Sequence, residues 1–205
     1  MFVAVAAGLP APLGAMQLLW INLISDIFPG LALAMEAPEP DVLDRPPRSR
    51  DEPIVKTSDF KRLTFEAGML TAGAMGAYAY GIARYGLGPQ AGTLTFQSLT
   101  MGQLLHSISC RSEKHSIFRG EKLPPNRYLK MALGGSFAFQ MLTMLVPGFR
   151  SLLGLTPIGL LDGAVIAGTA ALPLLINEGT KSLTGDEPPV KCDVPRGAVE
   201  AVEPG

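Results

Sequence analysis

Charged residues are scarce in this sequence, and long stretches contain none. Asp, Glu, Lys and Arg make up 17% of the 205 residues, whereas soluble domains usually contain about 25%. No charge occurs in residues 1–25, 85–110 or 131–149. Because a helix of about 20 residues crosses the hydrocarbon core of a bilayer, each of these stretches is long enough to span it. The scarcity of charge therefore argues against an ordinary soluble globule.

Cysteine, net charge and an N-terminal basic segment are also nearly absent. Two cysteines, Cys110 and Cys192, are too few for a secreted disulfide scaffold and suit a reducing compartment. A formal net charge of -1 makes nucleic acid an unsuitable partner. The start of the chain lacks the positive segment of a secretory signal, and its apolar run continues to Ser25.

Apolar runs bounded by Pro, Gly and charge clusters predict an all-α polytopic membrane helix bundle. We expect five full transmembrane helices after a partial N-terminal one in residues 1–8, with spans at about 13–35, 63–83, 93–109, 128–146 and 163–177. Residues 147–162 read as a loop. Residues 1–178 then form one transmembrane domain, and the polar segment 179–205 forms a disordered tail.

The positions of Lys and Arg predict the orientation of this bundle. Six lie in 36–62, six in 111–130 and three in 179–205, which fall on one side of the membrane if the five spans alternate. Only Arg84 and Arg150 fall on the other side. Since short cytoplasmic loops carry the excess of positive charge, we expect the two basic loops and the C-terminus to be cytoplasmic.

One carboxylate, Asp26, is placed near the middle of a predicted span. A carboxylate at mid-membrane costs about 2.5–3.5 kcal/mol on insertion scales, and it usually faces a bundle interior on an ion or proton path. Glu66, Asp162 and Glu178 lie near span ends, where we expect water or lipid headgroups to reach them. Asp26 is therefore the strongest candidate for a functional charge.

The neighbours of Asp26 carry oxygen atoms at helical spacing. Asn22, Ser25 and Asp26 stand at i, i+3 and i+4, within a sector of about 100° on one helix face. Pro29 has no N–H to donate to the carbonyl of Ser25, so the helix should kink or unwind and turn oxygens into one pocket. Hard cations such as calcium prefer oxygen ligands. Polar contacts between helices, without an ion, are the alternative.

Two linked motifs resemble a known family. The run Gln17–Asp26, followed by Pro29 and Leu31–Ala34, resembles the sixth transmembrane helix of type II P-type cation ATPases, the pumps related to calcium ATPases. The segment Glu39–Arg48, with its acidic residues before Arg-Pro-Pro-Arg, resembles the loop that follows that helix. The rest of the chain matches the family by its layout of four further helices and a cytoplasmic tail.

The resemblance implies roles for four residues. In the family, the Asn-x-x-Ser/Thr-Asp residues of the sixth helix coordinate the transported cation, and this role carries over to Asn22, Ser25 and Asp26. Gln103 matches a position in the eighth helix that can supply a ligand, and it favours a single site. An interhelical hydrogen bond is an equally good explanation of Gln103. The transported cation is then an inorganic ion such as Ca²⁺.

Several family motifs are missing from the sequence. It contains no Asp-Lys-Thr-Gly phosphorylation motif, no nucleotide-binding domain, no Thr-Gly-Glu loop and no Pro-Glu-Gly-Leu-Pro segment. The resemblance therefore implies a truncated chain, equivalent to the C-terminal membrane part of a pump. We expect it to bind no cofactor and to hydrolyse no ATP by itself, because Mg-ATP would act only in the complete pump. Its expected surroundings are the plasma membrane, its lipids and the N-terminal part of a pump as a separate chain.

Two other functions fit the same sequence. One is a non-catalytic membrane subunit or regulator that docks on a complete pump. The other is an unrelated channel or secondary transporter, although the internal repeats common in secondary transporters are not evident here.

Overall fold

The computed structural model describes residues 1–38, 57–111 and 125–184, and every regular element in these ranges is helical. The chain order is α1 (Phe2–Ala6), α2 (Ala15–Ile21), a π-helical turn (Asn22–Ile27), α3 (Phe28–Ala34), α4 (Thr57–Tyr85), α5 (Pro89–Ser109), α6 (Arg127–Leu145), α7 (Pro147–Leu153) and α8 (Leu160–Thr184). The prediction of an all-α fold is confirmed for these residues.

Helix α5 lies at the centre of the bundle. It contacts α4, α8, α6, α3 and the π turn, and it is buried along most of its length. Many of its buried side chains are polar, among them Thr93, Gln97, Ser98 and Thr100. A helix enclosed by other helices can carry polar groups because protein atoms, rather than lipid, satisfy them. The central position of α5 therefore explains its polar composition.

Small residues let α4, α5 and α8 pack closely. A Cβ atom on Gly73 of α4 would lie 2.6 Å from the carbonyl oxygen of Thr169 in α8. A Cβ on Gly81 would lie 2.7 Å from the Cα of Ala91 in α5. The hydroxyls of Ser98 and Thr169 join α5 to α8 by a 2.8 Å hydrogen bond. These three helices are therefore closely packed against one another.

A second layer places the π turn against this core. The π turn and α3 pack on α6 and α5. Next to them, Leu13, Ile21 of α2 and Phe96 of α5 lie in one apolar cluster. Helix α6 ends at Leu145, and α7 begins at Pro147 at an angle of 91° to α6. Helix α7 occupies part of the segment predicted to be a loop, and it ends at Gly154, whose φ of +62° suits glycine.

The prediction of five full transmembrane spans is supported only in part. Within the described ranges, Ala15–Ala34 and Leu160–Thr180 are long and apolar enough to cross a membrane. The bent pair Arg127–Leu145 and Pro147–Leu153 qualifies if it is counted as one span. Helices α4 and α5 reach the predicted length but not the apolar composition. Charged residues at the start of α4 and the enclosed polar side chains of α5 account for the difference.

Helix α8 is longer than predicted. It begins at Leu160 and continues to Thr184, so residues 179–184 are helical although we expected a disordered tail from residue 179. Pro173 lies inside the helix without ending it. The remainder of the predicted tail, and most of the two basic loops, lie outside the described residues.

The carboxylate of Asp162 is satisfied by protein partners. Its side chain is only 1% exposed, and it accepts hydrogen bonds from the hydroxyls of Tyr80 and Tyr85 at 3.2 and 2.8 Å. Arg84 lies 3.8 Å away as a charged partner. The expectation that Asp162 reaches water or headgroups is wrong, because α4 and α8 enclose it.

The other two carboxylates near span ends are also buried. Glu66 of α4 forms ion pairs with Arg62 at 2.9 Å and with His106 at 3.4 Å. Glu178 of α8 is fully buried and accepts a hydrogen bond from Ser109 of α5. Both side chains join neighbouring structure instead of contacting water, so this expectation is wrong for them as well.

The close approach of α4 and α8 is testable with Gly73→Ala. The added methyl group would meet the Thr169 carbonyl, so the helices must move apart, and we expect the free energy of unfolding to fall by about 1–3 kcal/mol. Thermal unfolding of the detergent-solubilised chain, followed by circular dichroism, measures the change. Gly68→Ala is the control in the same helix, since nothing lies within 4 Å of its Cβ position. Equal stabilities of the two variants would contradict the packing.

Candidate cation site

A π-helical turn interrupts the helix that carries the predicted ligands. Residues Asn22–Ile27 form this turn, between α2 and α3, with Pro29 just beyond it. Such turns are rare and are frequent at functional sites. The prediction that the helix is distorted here is confirmed, and the distortion is a wider turn instead of a break.

The wider turn changes which carbonyl loses its partner. In an α-helix, the amide of residue 29 donates to the carbonyl of Ser25. In the i→i+5 pattern of a π turn, it donates to the carbonyl of Ile24 instead, and Pro29 has no amide proton to do so. The hydroxyl of Ser136 in α6 donates to the Ile24 oxygen at 2.9 Å. A neighbouring helix thus satisfies the Ile24 carbonyl, and the expectation that the Ser25 carbonyl lines a cation pocket stays a prediction.

Oxygen atoms crowd the hydroxyl of Ser25. Its Oγ lies 2.7 Å from the carbonyl oxygen of Ile21, 3.0 Å from Oδ1 of Asp26 and 2.9 Å from Oε1 of Gln103 in α5. A hydroxyl has one proton and can donate it to only one of these acceptors. The structure thus brings three of the four predicted residues together, with three acceptor oxygens around one hydroxyl proton.

Asn22 is the predicted ligand that the structure leaves apart. Its side chain is exposed and hydrogen-bonds no other residue in the described ranges, whereas Ser25 is buried against α5. The side chain of Asp26 is also exposed, although its Oδ1 contacts the hydroxyl of Ser25 at 3.0 Å. Asn22 thus stays apart from the contacts that join Ser25, Asp26 and Gln103.

The outward face of the π turn is otherwise apolar. Leu19, Leu23 and Ile27 are all exposed there beside Asn22 and Asp26. A carboxylate among exposed apolar side chains is unfavourable in contact with lipid. This face therefore has the composition of a helix surface that another helix covers.

A buried network of polar side chains holds the start of the π turn. The indole Nε1 of Trp20 donates to Oε1 of Gln140 at 2.9 Å, and Nε2 of Gln140 donates to Oε1 of Gln97 at 2.9 Å. Gln97 in turn donates to the hydroxyl of Thr143 at 3.1 Å. Sequence reasoning missed these residues. The signal was available, since Ser136, Gln140 and Thr143 follow one helix face at i, i+4 and i+7.

A second set of contacts fixes the end of α3. Oε1 of Glu36 accepts bonds from Arg111 at 2.6 and 3.2 Å, and Oε2 accepts one from Asn126 at 2.6 Å. The amide of Asn126 also bonds the Ala32 carbonyl at 2.9 Å. Burial disfavours the charge on Glu36, but the bonds from Arg111 and Asn126 outweigh it and lower the pKa of Glu36. The stabilisation is full above the ordinary carboxyl pKa and is lost as the pH falls through the lowered value.

The oxygen groups at the π turn suit a hard cation better than a soft one. No group of three or more His, Cys, Asp and Glu side chains able to hold a metal occurs within residues 1–38, 57–111 and 125–184. The atoms gathered at Ser25 are hydroxyl, carboxylate, amide and main-chain oxygens, which Ca²⁺ and other hard cations prefer. These features define an all-helical domain in which oxygen atoms gather at a non-α turn.

The chain belongs to the family described as "Cation transporting ATPase, C-terminus", which matches residues 10–183. It is 28% identical over 171 residues to calcium-transporting ATPase 1 of Schizosaccharomyces pombe, covering 83% of this chain and 19% of that protein. It is 29% identical over 184 residues to a calcium-transporting ATPase of Bacillus subtilis, covering 88% and 20%. It is 29% identical over 171 residues to mouse calcium-transporting ATPase type 2C member 2, covering 83% of this chain and 18% of that protein.

These matches confirm the resemblance to the C-terminal membrane part of a P-type calcium pump. The chain spans about one fifth of the length of the curated relatives it matches. The alternative of an unrelated channel or secondary transporter has no support from them.

The role of Ser136 is testable by a double-mutant cycle with Pro29. Ser136→Ala leaves the buried Ile24 carbonyl without a donor, so we expect the free energy of unfolding to fall by about 1–3 kcal/mol. In the Pro29→Ala background, the restored amide at position 29 can bond a helix carbonyl, and Ser136→Ala should cost less. Denaturant unfolding in detergent measures both.

The control for this cycle is Ser107→Ala, because the Ser107 hydroxyl donates only to Leu104 of its own helix. It should change stability little and equally in both backgrounds. An equal cost of Ser136→Ala with and without Pro29 would contradict the coupling.

Proposed function

We propose that this chain is the ion-pathway part of an ATP-driven cation pump, and that Asn22, Ser25, Asp26 and Gln103 contribute to one cation site. The crowding of acceptor oxygens around the Ser25 hydroxyl is the observation that carries the proposal. A bound cation supplies the positive charge that one hydroxyl proton cannot share among them.

The two outward-facing ligands extend the site beyond this chain. Asn22 and Asp26 are exposed on a face that is otherwise apolar. We infer that helices from the N-terminal part of a pump, supplied as a separate chain or as a continuation, cover this face and complete the coordination. Alone, the chain then provides a partial site with weak affinity.

We propose calcium as the transported ion. The relatives named above are calcium-transporting ATPases, and all atoms gathered at the site are oxygens, which Ca²⁺ prefers. Asp26 is the single carboxylate among the four residues, and Gln103 is neutral. One carboxylate and neutral amide oxygens favour one calcium per pump.

The chain provides no ATP hydrolysis of its own in this proposal. Phosphoryl transfer needs an aspartyl nucleophile and bound Mg-ATP, and the sequence lacks the Asp-Lys-Thr-Gly motif. Phosphorylation and the energy of transport then come from the remainder of the pump, with the chain anchored in the plasma membrane. The alternative of a non-catalytic subunit docked on a complete pump has no support from the comparisons, and it predicts no effect of Asp26 on cation binding.

Asp26→Asn tests the cation site. Terbium(III) binds oxygen ligands and emits when a nearby tryptophan transfers energy to it, and Trp20 is the single tryptophan of the chain. We expect Asp26→Asn to weaken terbium binding by at least about tenfold, the factor that 1.4 kcal/mol of lost attraction gives. In a pump completed with the N-terminal part, the same variant should abolish calcium-dependent phosphorylation.

Asp162→Asn is the matched control. It replaces a buried carboxylate that contacts Tyr80 and Tyr85, away from the π turn. It should leave terbium affinity and calcium-dependent phosphorylation unchanged. Wild-type binding and phosphorylation in Asp26→Asn would remove Asp26 from the site.

The proposed orientation is testable by cysteine labelling, after Cys110 and Cys192 are replaced by Ser. Ser49→Cys, in the first basic loop, should react with an impermeant thiol reagent only from the cytoplasmic side. Ser151→Cys, on the exposed surface of α7, should react only from the outer side. Labelling of Ser49→Cys from outside would contradict the orientation.

A further inference from the structure

A cavity of about 350 Å³ opens between the end of α3 and the start of α6. Met35 and Ala37 line one wall, and Arg127, Tyr128 and Met131 line the other. The candidate span Ala15–Ala34 ends near this point, and the bent pair of α6 and α7 begins there with Arg127. The cavity therefore lies at the depth where hydrocarbon gives way to lipid headgroups.

The positive charge of Arg127 is not neutralised by the parts of the protein that the structure describes. Its exposed guanidinium has no carboxylate partner within the described ranges. Two other arginines at this end differ, since Arg111 pairs with Glu36 and Arg62 pairs with Glu66. Glu36, the carboxylate nearest along the chain to the cavity wall, is already bonded by Arg111 and Asn126. Among the described residues that line the cavity, Arg127 is thus a positive charge without a carboxylate partner.

The other walls are apolar or amphipathic. Met35, Tyr128 and Met131 are 60%, 59% and 75% exposed. Tyrosine is enriched at membrane interfaces, where its ring contacts the acyl region and its hydroxyl contacts water or headgroups. Met131 lies one turn further along α6 than Arg127, on the hydrocarbon side. The cavity therefore presents a cation at its mouth and apolar side chains below it.

We propose that this cavity binds one anionic phospholipid. The lipid phosphate contacts Arg127, the glycerol region lies against Tyr128, and one acyl chain packs on Met35 and Met131. Charge complementarity at the mouth and apolar side chains on the membrane side together select a lipid over a soluble anion. Basic pockets between transmembrane helices on the cytoplasmic side are suited to anionic headgroups, and the proposed orientation places the cavity on that side.

The experiment measures lipid retention by the purified chain in mild detergent. The chain is incubated with equal amounts of phosphatidylglycerol and phosphatidylcholine of the same acyl composition, and bound lipid is counted by native mass spectrometry. We expect the wild type to retain phosphatidylglycerol preferentially. Arg127→Gln should reduce that preference about fivefold, the factor equivalent to the ~1 kcal/mol that one basic residue contributes near an anionic surface. Arg127→Lys should keep most of it.

Two further variants separate the parts of the proposal. Met131→Ala should lower retention of both lipids without changing their ratio. Lys61→Gln removes an exposed charge from α4, outside the cavity, and should leave the ratio unchanged. The proposal is overturned if the wild type shows no preference, if Lys61→Gln acts like Arg127→Gln, or if soluble glycerol phosphate displaces the lipid.

Discussion

The candidate site depends on one missing amide proton. Pro29 cannot donate a hydrogen bond, and at membrane depth a carbonyl without a donor is costly because lipid supplies none. In this chain one turn is widened, and the Ile24 carbonyl accepts a hydrogen bond from Ser136 of the neighbouring helix. Within the widened turn, Ser25 contacts both Gln103 and the exposed Asp26, while Asn22 is exposed. The turn that carries three of the proposed ligands is thus held at the Ile24 carbonyl by a neighbouring helix.

Much of the fold could be predicted from the sequence, and the errors have a common cause. The predicted span 93–109 lies within α5, and the gap between the predicted spans 63–83 and 93–109 contains the boundary between α4 and α5. The buried carboxylates were misplaced because their partners, such as Tyr80 and Tyr85 for Asp162, come from other helices. Periodicity within one segment carries no information about a donor that another segment supplies.

The candidate site could likewise be predicted only in part from the sequence. That Asn22, Ser25 and Asp26 carry oxygen, and that Pro29 disturbs their helix, follows from the residues alone. Whether the helix forms a kink, a break or a π turn depends on the Ser136 hydroxyl, which lies more than a hundred residues away in the sequence. The resemblance to cation ATPases placed Gln103 near these residues, and the structure brings its amide oxygen to 2.9 Å from the Ser25 hydroxyl.

The buried polar side chains of α5 and the polar groups of the π turn differ in how they are satisfied. Polar groups inside the bundle are paired with one another, as in the chain from Trp20 through Gln140 and Gln97 to Thr143, and this pairing holds the helices in register. At the π turn, three acceptor oxygens lie around a single hydroxyl proton. Helices α5 and α6 contact one side of that turn, whereas Asn22 and Asp26 are exposed. If these oxygens bind a cation as proposed, the packed helices hold Ser25 and Gln103 in place, and exposed Asp26 leaves room for ligands from other helices.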